Sequence, residues 1–287
     1  MVIDKKMILV IGATGNQGGK LINQLMLSGT YTVRGMTRDL NTEKVKNLIN
    51  AGVDMVEGTM DDVDSLKTAF NGVYGVFFVA IGPESIEQEV TRGTNVVDTA
   101  KYAGVKHIVF SGVSGGNRKI GVPRFETKGA IESIIKESNI PYTIIRPVSF
   151  MDNFNREMDK IKSGRLSGIL SPQKKQWFIA VQNIAEFAYA SFDRPEEFIG
   201  KEIDLAGDVM NLTEVAEIFS TVLKTDIKYK YIEENDRERV PEYIKTMTKF
   251  YEAEGYSVDV QELKNEWDIP LTSLRDWIIS EPGWVTD

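Results

Sequence analysis

The stretch Met7-Ile-Leu-Val-Ile-Gly-Ala-Thr-Gly-Asn-Gln-Gly-Gly19 decides the fold of this chain. It opens with a five-residue apolar run and continues into glycines at positions 12, 15 and 18. An amphipathic segment, Leu21-Ile-Asn-Gln-Leu-Met-Leu27, follows directly. This order predicts a buried parallel strand, a tight glycine-rich turn and a helix.

The three glycines are each expected to serve the turn in a different way. Gly12 lets the chain turn sharply, Gly15 lets the backbone approach a diphosphate, and Gly18 lets the helix pack closely on the strand. The N-terminus of the helix then offers unpaired N–H groups and a partial positive charge to an anion. The turn therefore predicts a dinucleotide-binding site.

The second strand predicts which dinucleotide is bound. Its sequence is Thr30-Tyr-Thr-Val-Arg-Gly-Met-Thr-Arg-Asp39. A site that prefers NAD places a carboxylate at the end of this strand, whereas Arg38 suits a 2′-phosphate through charge-assisted hydrogen bonds. The neighbouring Asp39 either caps the following helix or accepts the ribose hydroxyl. The pattern favours NADP(H) over NAD(H).

Composition excludes several kinds of chemistry. The 287 residues include no cysteine and one histidine, His107, which excludes thiol nucleophiles, thiolate metal sites and histidine-rich metal sites. We predict no metal site. His107 stands at the mouth of the apolar run Val105–Phe110, where we expect it to pack rather than to act in a catalytic triad.

The charge and hydropathy pattern bears on the partners and the location of the protein. A net charge of −8 without a basic cluster argues against direct binding of nucleic acid. No apolar run has the length of a membrane helix, and no cleavable signal pattern is recognised. We expect a cytoplasmic protein that makes no membrane contact.

Short apolar strands alternate with helical segments through the first half of the chain. This alternation predicts an α/β fold with a doubly wound parallel sheet, in which the ligand lies beyond the carboxyl ends of the strands. We predict a Rossmann domain at residues 1–150 and a smaller mixed region at 151–287, parts of which return to the sheet. Arg146 is expected to anchor either the edge of the sheet or the substrate loop.

Four further segments carry a family resemblance. They are Thr37-Arg-Asp39, Arg124-Phe-Glu-Thr-Lys-Gly-Ala-Ile-Glu132, Arg146-Pro-Val-Ser-Phe-Met-Asp-Asn153 and Trp177-Phe-Ile-Ala-Val-Gln-Asn-Ile-Ala185. Together with the glycine turn, they resemble the NmrA-like proteins, which are atypical members of the short-chain dehydrogenase/reductase superfamily. The resemblance runs from the first strand to the tail of the chain, and it implies a Rossmann fold that binds NADP(H).

The resemblance also implies contacts along the cofactor. Arg38 matches the contact to the 2′-phosphate, Lys128 the contact to the nicotinamide ribose, and the turn the contact to the diphosphate. Thr59 departs from an aspartate that the family places near the adenine, next to Met60. The full set of implied cofactor-binding residues is Gly12, Ala13, Thr14, Gly15, Asn16, Gln17, Gly18, Arg38, Thr59, Met60, Ala80, Ile81, Gly82, Lys128, Phe150, Met151, Asp152 and Asn153.

One departure from the superfamily concerns the chemistry. Ordinary short-chain reductases use Tyr-x-x-x-Lys, in which the phenol protonates the substrate oxygen. This chain offers Phe125-Glu-Thr-Lys128, which has no phenol. Ser111 or Ser114 fills the position of the catalytic serine. Candidate acids near the nicotinamide are Lys128, Ser149, Tyr102 and Asp152.

Two functions follow from the resemblance. The favoured hypothesis is a redox-cofactor sensor that binds NADP(H) and regulates a protein partner, since such a role needs no proton donor. The alternative is an NADPH-dependent reductase of quinones or related carbonyl compounds, with Lys128 or a water molecule as proton donor. Lys128 is a catalytic residue only in the second case. A homodimer is compatible with either function.

Overall fold

The computed structural model describes residues 5–80, 85–118 and 120–285. They divide into two compact units. The first comprises Met1–Arg146 and Ile184–Asp204, and the second comprises Pro147–Asn183 and Leu205–Asp287. No helix within the described residues has the length and apolarity that a membrane span requires.

The strands are short, as expected for α/β units. In chain order they are β1 (Met7–Ile11), β2 (Thr32–Thr37), β3 (Asp54–Glu57), β4 (Gly75–Val79), β5 (His107–Ser111), β6 (Tyr142–Pro147), β7 (Ser149–Phe150), β8 (Arg165–Gly168), β9 (Gln176–Ile179), β10 (Glu202–Leu205), β11 (Asp208–Met210) and β12 (Lys228–Tyr231).

Helices separate most of these strands. They are α1 (Asn16–Ser28), α2 (Glu43–Asn50), α3 (Val63–Ala69), α4 (Ile86–Tyr102), α5 (Pro123–Glu137), α6 (Met158–Lys162), α7 (Val181–Asp193), α8 (Pro195–Phe198), α9 (Leu212–Leu223), α10 (Glu242–Ala253), α11 (Val260–Glu266) and α12 (Leu274–Ser280). Two 3₁₀ segments cover Met151–Glu157 and Glu234–Arg239.

The first unit contains a seven-stranded sheet with the order β10-β6-β5-β4-β1-β2-β3. The pairs β1–β2, β2–β3, β1–β4, β4–β5 and β5–β6 are parallel. The chain moves outward from β1 to β3 and then returns to β4 on the other side of β1. This reversal makes the carboxyl ends of β1 and β4 the topological switch point, where such sheets bind ligands. The predicted doubly wound α/β fold is confirmed.

The core of the first unit explains why its strands are continuous apolar runs. Ile8, Leu9 and Val10 are all 0% exposed, as expected for a strand that is covered on both faces. Helix α4 packs against α5 on one of these faces. The contact is close at Gly93, where a Cβ would lie 2.6 Å from the side chain of Ile131.

The second unit has smaller sheets of its own. One has the order β11-β9-β7 and the other pairs β12 with β8. Its core is aromatic, with Phe219, Trp277 and Trp284 at most 3% exposed. Phe154 packs against this core, with its ring centroid 5.3 Å from that of Phe219.

The single histidine packs inside the first unit, as predicted. His107 is 0% exposed, and its Nε2 lies 2.9 Å from Thr143 Oγ1. Since Thr143 Oγ1 donates its hydrogen to Phe198 O at 2.8 Å, the imidazole must be the donor to Thr143. Burial lowers the pKa of His107 to about 4. The folded protein therefore holds a neutral imidazole.

This imidazole predicts a loss of stability in mild acid. The unfolded chain takes up a proton below the ordinary histidine pKa, whereas the folded chain resists protonation until about pH 4. Between these limits the free energy of unfolding decreases as the pH is lowered, by about 3 kcal/mol in total for this group. Urea unfolding of the wild type and of His107→Gln from pH 7 to pH 4.5 isolates the effect, because Gln does not titrate. Parallel pH curves for the two proteins would contradict it.

Candidate dinucleotide-binding site

The glycine turn joins β1 to α1 at the switch point. Gly12 has a φ of +83°, a conformation that side chains disfavour, and Gly15 N donates to Gly12 O at 2.9 Å. A Cβ on Gly18 would lie 2.9 Å from the carbonyl carbon of Gly12 and closer still to its oxygen. The turn therefore requires glycine at both positions, as the sequence predicts.

The start of α1 is chemically suited to an anion. Its first ladder hydrogen bond runs from Gly19 N to Gly15 O at 2.9 Å, so the amides of Asn16, Gln17 and Gly18 point out of the helix end. No side chain caps this end, and its first turn holds no acidic residue. Gln17 Oε1 is buried and has no hydrogen-bond partner among the described residues. The free amides fit a diphosphate, whereas Gln17 Oε1 is an acceptor and would need a donor such as a ribose hydroxyl.

Two cations stand beside the turn on the β2 side. Arg38 follows β2 and lines a cavity of about 510 Å³. Lys44, on α2, donates from Nζ to Thr14 O in the glycine turn at 2.6 Å. The cavity is also lined by Glu57, Gly58, Thr59, Asp62 and Ser65. Two cations at this place suit a phosphate monoester, although the sequence analysis identified Arg38 alone.

The capping role considered for Asp39 is wrong. Thr42 caps α2, and its side chain accepts from Val45 N at 3.4 Å. Asp39 Oδ1 instead accepts from Asn41 N at 2.8 Å within the loop. The cap must directly precede the first helical residue, and Asp39 lies too far upstream of Glu43 to reach the free amides.

Thr59 and Met60 follow β3 at the same edge of the sheet. Thr59 N donates to Ser65 Oγ at 3.1 Å, and Met60 O accepts from Asn95 Nδ2 on α4 at 2.9 Å. The loop is further held by Asp61, which pairs with Arg92 at 2.6 Å. Helix α4 therefore fixes the loop after β3.

Ala80 and Lys128 meet at the end of β4. Lys128 Nζ donates to Ala80 O and forms an ion pair with Glu89 Oε1. Thr127 Oγ1 donates to the other carboxylate oxygen of Glu89 at 2.8 Å. Burial lowers the pKa of the Lys128 ammonium to about 8, while the Glu89 carboxylate favours its charged form. The group can thus bind a hydroxyl or give up a proton near neutral pH.

The other predicted cofactor residues lie elsewhere. Ile81 and Gly82 fall outside the described residues. Phe150 to Asn153 belong to the second unit, where Met151 is 0% exposed and Asp152 Oδ2 accepts from Val181 N at 3.0 Å. Their assignment to the nicotinamide end stays a prediction.

The remaining candidate acids differ in surroundings. Tyr102 ends α4 and is 83% exposed, so it is no part of a buried site. Ser149 accepts from Gln176 Nε2 at 2.6 Å and lies 3.4 Å from the Tyr251 hydroxyl, all within the second unit. Ser111 is 0% exposed, and its Oγ has no hydrogen-bond partner among the described residues. Ser114 is 3% exposed.

Sequence reasoning missed Glu89, although a signal was present. Glu89 lies on the same face of α4 as Gly93, Val96 and Ala100, and this face is buried. A carboxylate on such an apolar face requires a buried partner. The spacing therefore pointed to an ion pair, but not to the lysine that completes it.

Comparison with known proteins finds similarity over most of the chain. The model of the NmrA-like family matches residues 4–277. A curated relative, the NmrA-like family domain-containing oxidoreductase FrzB of Cladobotryum, is 26% identical over 285 residues, which cover 86% of this chain and 84% of the relative.

Solved structures share the fold. The Citrobacter triphenylmethane reductase, determined with NADP(H), has a TM-score of 0.77 and 25% identity and covers 94% of this chain and 98% of its own. NmrA, a negative transcriptional regulator determined with NAD, has a TM-score of 0.81. The similarity to NmrA covers 96% of this chain and 94% of NmrA at 18% identity. At this identity it supports a shared fold and no shared role.

Proposed function

The chain belongs to the NmrA-like family, and we propose that it is an NADPH-dependent reductase whose site is built on the first unit. The observation that carries the proposal is the buried Lys128 ammonium at the end of β4. A buried titratable group with a lowered pKa at the end of a sheet strand is typical of a catalytic site. The oxidoreductase FrzB and the triphenylmethane reductase support the same direction.

The glycine turn and its flanking cations would hold the dinucleotide. The amides of Asn16, Gln17 and Gly18 would bind the diphosphate, and Arg38 with Lys44 would bind the 2′-phosphate. A bound dinucleotide would supply a hydride. The loop at Thr59 and Met60 would line the adenine side.

Lys128 would serve the reacting end. Its ammonium would bind the nicotinamide ribose and give a proton to the substrate oxygen as that oxygen gains negative charge. An amine of pKa about 8 can do this at neutral pH. Quinones and related carbonyl compounds suit such a site, because they are electrophilic and need a weaker acid than ordinary ketones do.

A redox-cofactor sensor is the second candidate. The observation that favours it is the lack of a phenol four positions before Lys128, where the catalytic tyrosine of Tyr-x-x-x-Lys would stand. The residue at that position is the exposed Arg124, and Phe125 beside it has no hydroxyl. The protein partner of such a sensor, the homodimer and the cytoplasmic location stay predictions from the sequence.

Arg38→Ala tests the cofactor and its phosphate. Loss of a charge-assisted contact costs about 1.5–3 kcal/mol, so NADPH is expected to bind about 10–100-fold more weakly while NADH binding is unchanged. Calorimetric titration measures both affinities. Lys46→Ala removes an exposed cation from α2 and is the matched control. Equal weakening of NADPH and NADH would contradict the role of Arg38.

Turnover separates the two candidate functions. A reductase oxidises NADPH in the presence of a naphthoquinone, and Lys128→Met lowers kcat while the protein stays folded. A sensor shows no turnover across quinones and carbonyl compounds and binds NADPH and NADP⁺ with clearly different affinities. Absence of any dinucleotide binding would contradict both.

A further inference from the structure

Glu89 is a carboxylate on the buried face of α4. It is 4% exposed. Moving a charged carboxylate out of water costs several kcal/mol unless partners compensate for the lost hydration. The side chain must therefore be held by groups that favour its ionised form.

Three groups do so. Lys128 forms an ion pair with Oε1, and Thr127 Oγ1 donates to Oε2 at 2.8 Å. Glu89 also lies in the first turn of α4, where the helix dipole favours negative charge. With its ends on α4 and α5, the cluster joins two helices that pack against each other.

We propose that Glu89 is the positioning residue of Lys128, which it keeps charged and turned toward the end of β4. A lysine ammonium has three N–H donors, and the described partners Glu89 and Ala80 take two of them. The third is left for an oxygen of a ligand, either a ribose hydroxyl or the substrate oxygen. The inference rests on the proposed function for the identity of that ligand.

The charge of Glu89 decides the protonation state of Lys128. Burial favours the neutral amine, so removal of the carboxylate leaves the carbonyl oxygen of Ala80 as the one described partner that favours the ammonium. Among the other charged groups on α4 and α5, Arg92 pairs with Asp61, and Glu132 pairs with Arg146. Glu87, two residues before Glu89 on α4, is exposed.

The test is a titration of Lys128 in the free protein. NMR of protein labelled with ¹³C at lysine Cε follows each ammonium, and Lys128→Met identifies the signal. Glu89→Gln is expected to lower the pKa of Lys128 by about 1–3 pH units, as the loss of an opposite charge at contact distance does. Glu89→Asp keeps a carboxylate, so the pKa of Lys128 is expected to stay close to its wild-type value. Glu87→Gln, the matched control, is expected to leave the pKa of Lys128 unchanged.

A second variant and a second readout complete the experiment. Thr127→Val removes a donor to Glu89 but leaves the negative charge in place, so it is expected to leave the pKa of Lys128 at or slightly above its wild-type value. Glu89→Ala also removes the charge and serves if Glu89→Gln does not fold. The affinity for NADPH is expected to decrease as the pH rises and Lys128 loses its proton. In Glu89→Gln the midpoint of this decrease is expected at a lower pH than in the wild type.

The outcomes separate this inference from the proposed function. An unchanged Lys128 titration in Glu89→Gln overturns the positioning role, even if the variant is less stable. A shifted titration in a protein that binds no dinucleotide supports the pairing but overturns the proposed ligand. A purely structural Glu89 would lower stability and leave both pH profiles in place.

Discussion

Gly18→Ala is expected to lower the stability of the protein and to weaken NADPH binding by at least tenfold. The added Cβ would lie 2.9 Å from the carbonyl carbon of Gly12 and 3.2 Å from Val10 Cγ1. Neither neighbour can move freely, because one is turn backbone and the other is a side chain of β1. Overpacking of this kind costs about 1–3 kcal/mol.

The helix cannot relieve the clash by moving away. Leu21, Ile22 and Leu25 bind α1 to the core and are at most 1% exposed. The strain must therefore displace the turn itself, which would hold the diphosphate. Thermal unfolding and calorimetric titration with NADPH measure the two effects separately.

Gly19→Ala is the matched control for this variant. Its Cβ would meet Ala13 O at 3.6 Å, an ordinary contact. Both substitutions replace a helical glycine by alanine and gain about 1 kcal/mol of helix propensity. The difference between them thus isolates the close approach at Gly18. Equal stability and equal affinity in the two variants would contradict the packing argument.

The sheet was predictable because its signals are local. Strand β1 and the turn lie within thirteen consecutive residues, and β5 (His107–Ser111) largely coincides with the apolar run Val105–Phe110. The return of β10 to the sheet was less accessible. The segment that leads into β10 bonds to β6, for example from Gly200 N to Tyr142 O at 2.7 Å, and these residues are separated along the chain by a long excursion into the second unit.

The residues proposed for the candidate site were accessible from the sequence, but their pairings were not. Arg38 is proposed from its place at the end of the second strand and Lys128 from the family resemblance, and both stay predictions. The contact of Lys44 with the turn and the pairing of Glu89 with Lys128 could not be predicted, because they depend on how α2 and α4 pack against the sheet. The two roles left open for Arg146 could not be separated for the same reason: its partner Glu202 lies 56 residues further along the chain.

The structure assigns Arg146 to the edge of the sheet. It is 2% exposed and donates to both carboxylate oxygens of Glu132 on α5, at 2.9 and 2.7 Å. It also contacts Glu202 on β10. The guanidinium therefore joins β6 to its neighbouring strand and to the helix that carries Lys128.

Arg146→Met is expected to lower the free energy of unfolding by about 3–5 kcal/mol, because it leaves a buried carboxylate without its partner. Glu132 is 1% exposed and cannot regain hydration. Urea unfolding at neutral pH measures the loss. Lys67→Met is the matched control: it breaks the exposed Lys67–Asp64 pair, and we expect a change of about 0–0.5 kcal/mol.

Charge, rather than packing, is the expected cause of this loss, and a double variant separates the two. Arg146→Met leaves the buried Glu132 carboxylate without the opposite charge that compensates for its lost hydration. Adding Glu132→Gln to Arg146→Met removes that carboxylate and is expected to recover much of the stability at neutral pH. A deficit that Glu132→Gln does not reduce would show that the packing of the arginine side chain stabilises this edge and that the ion pair does not.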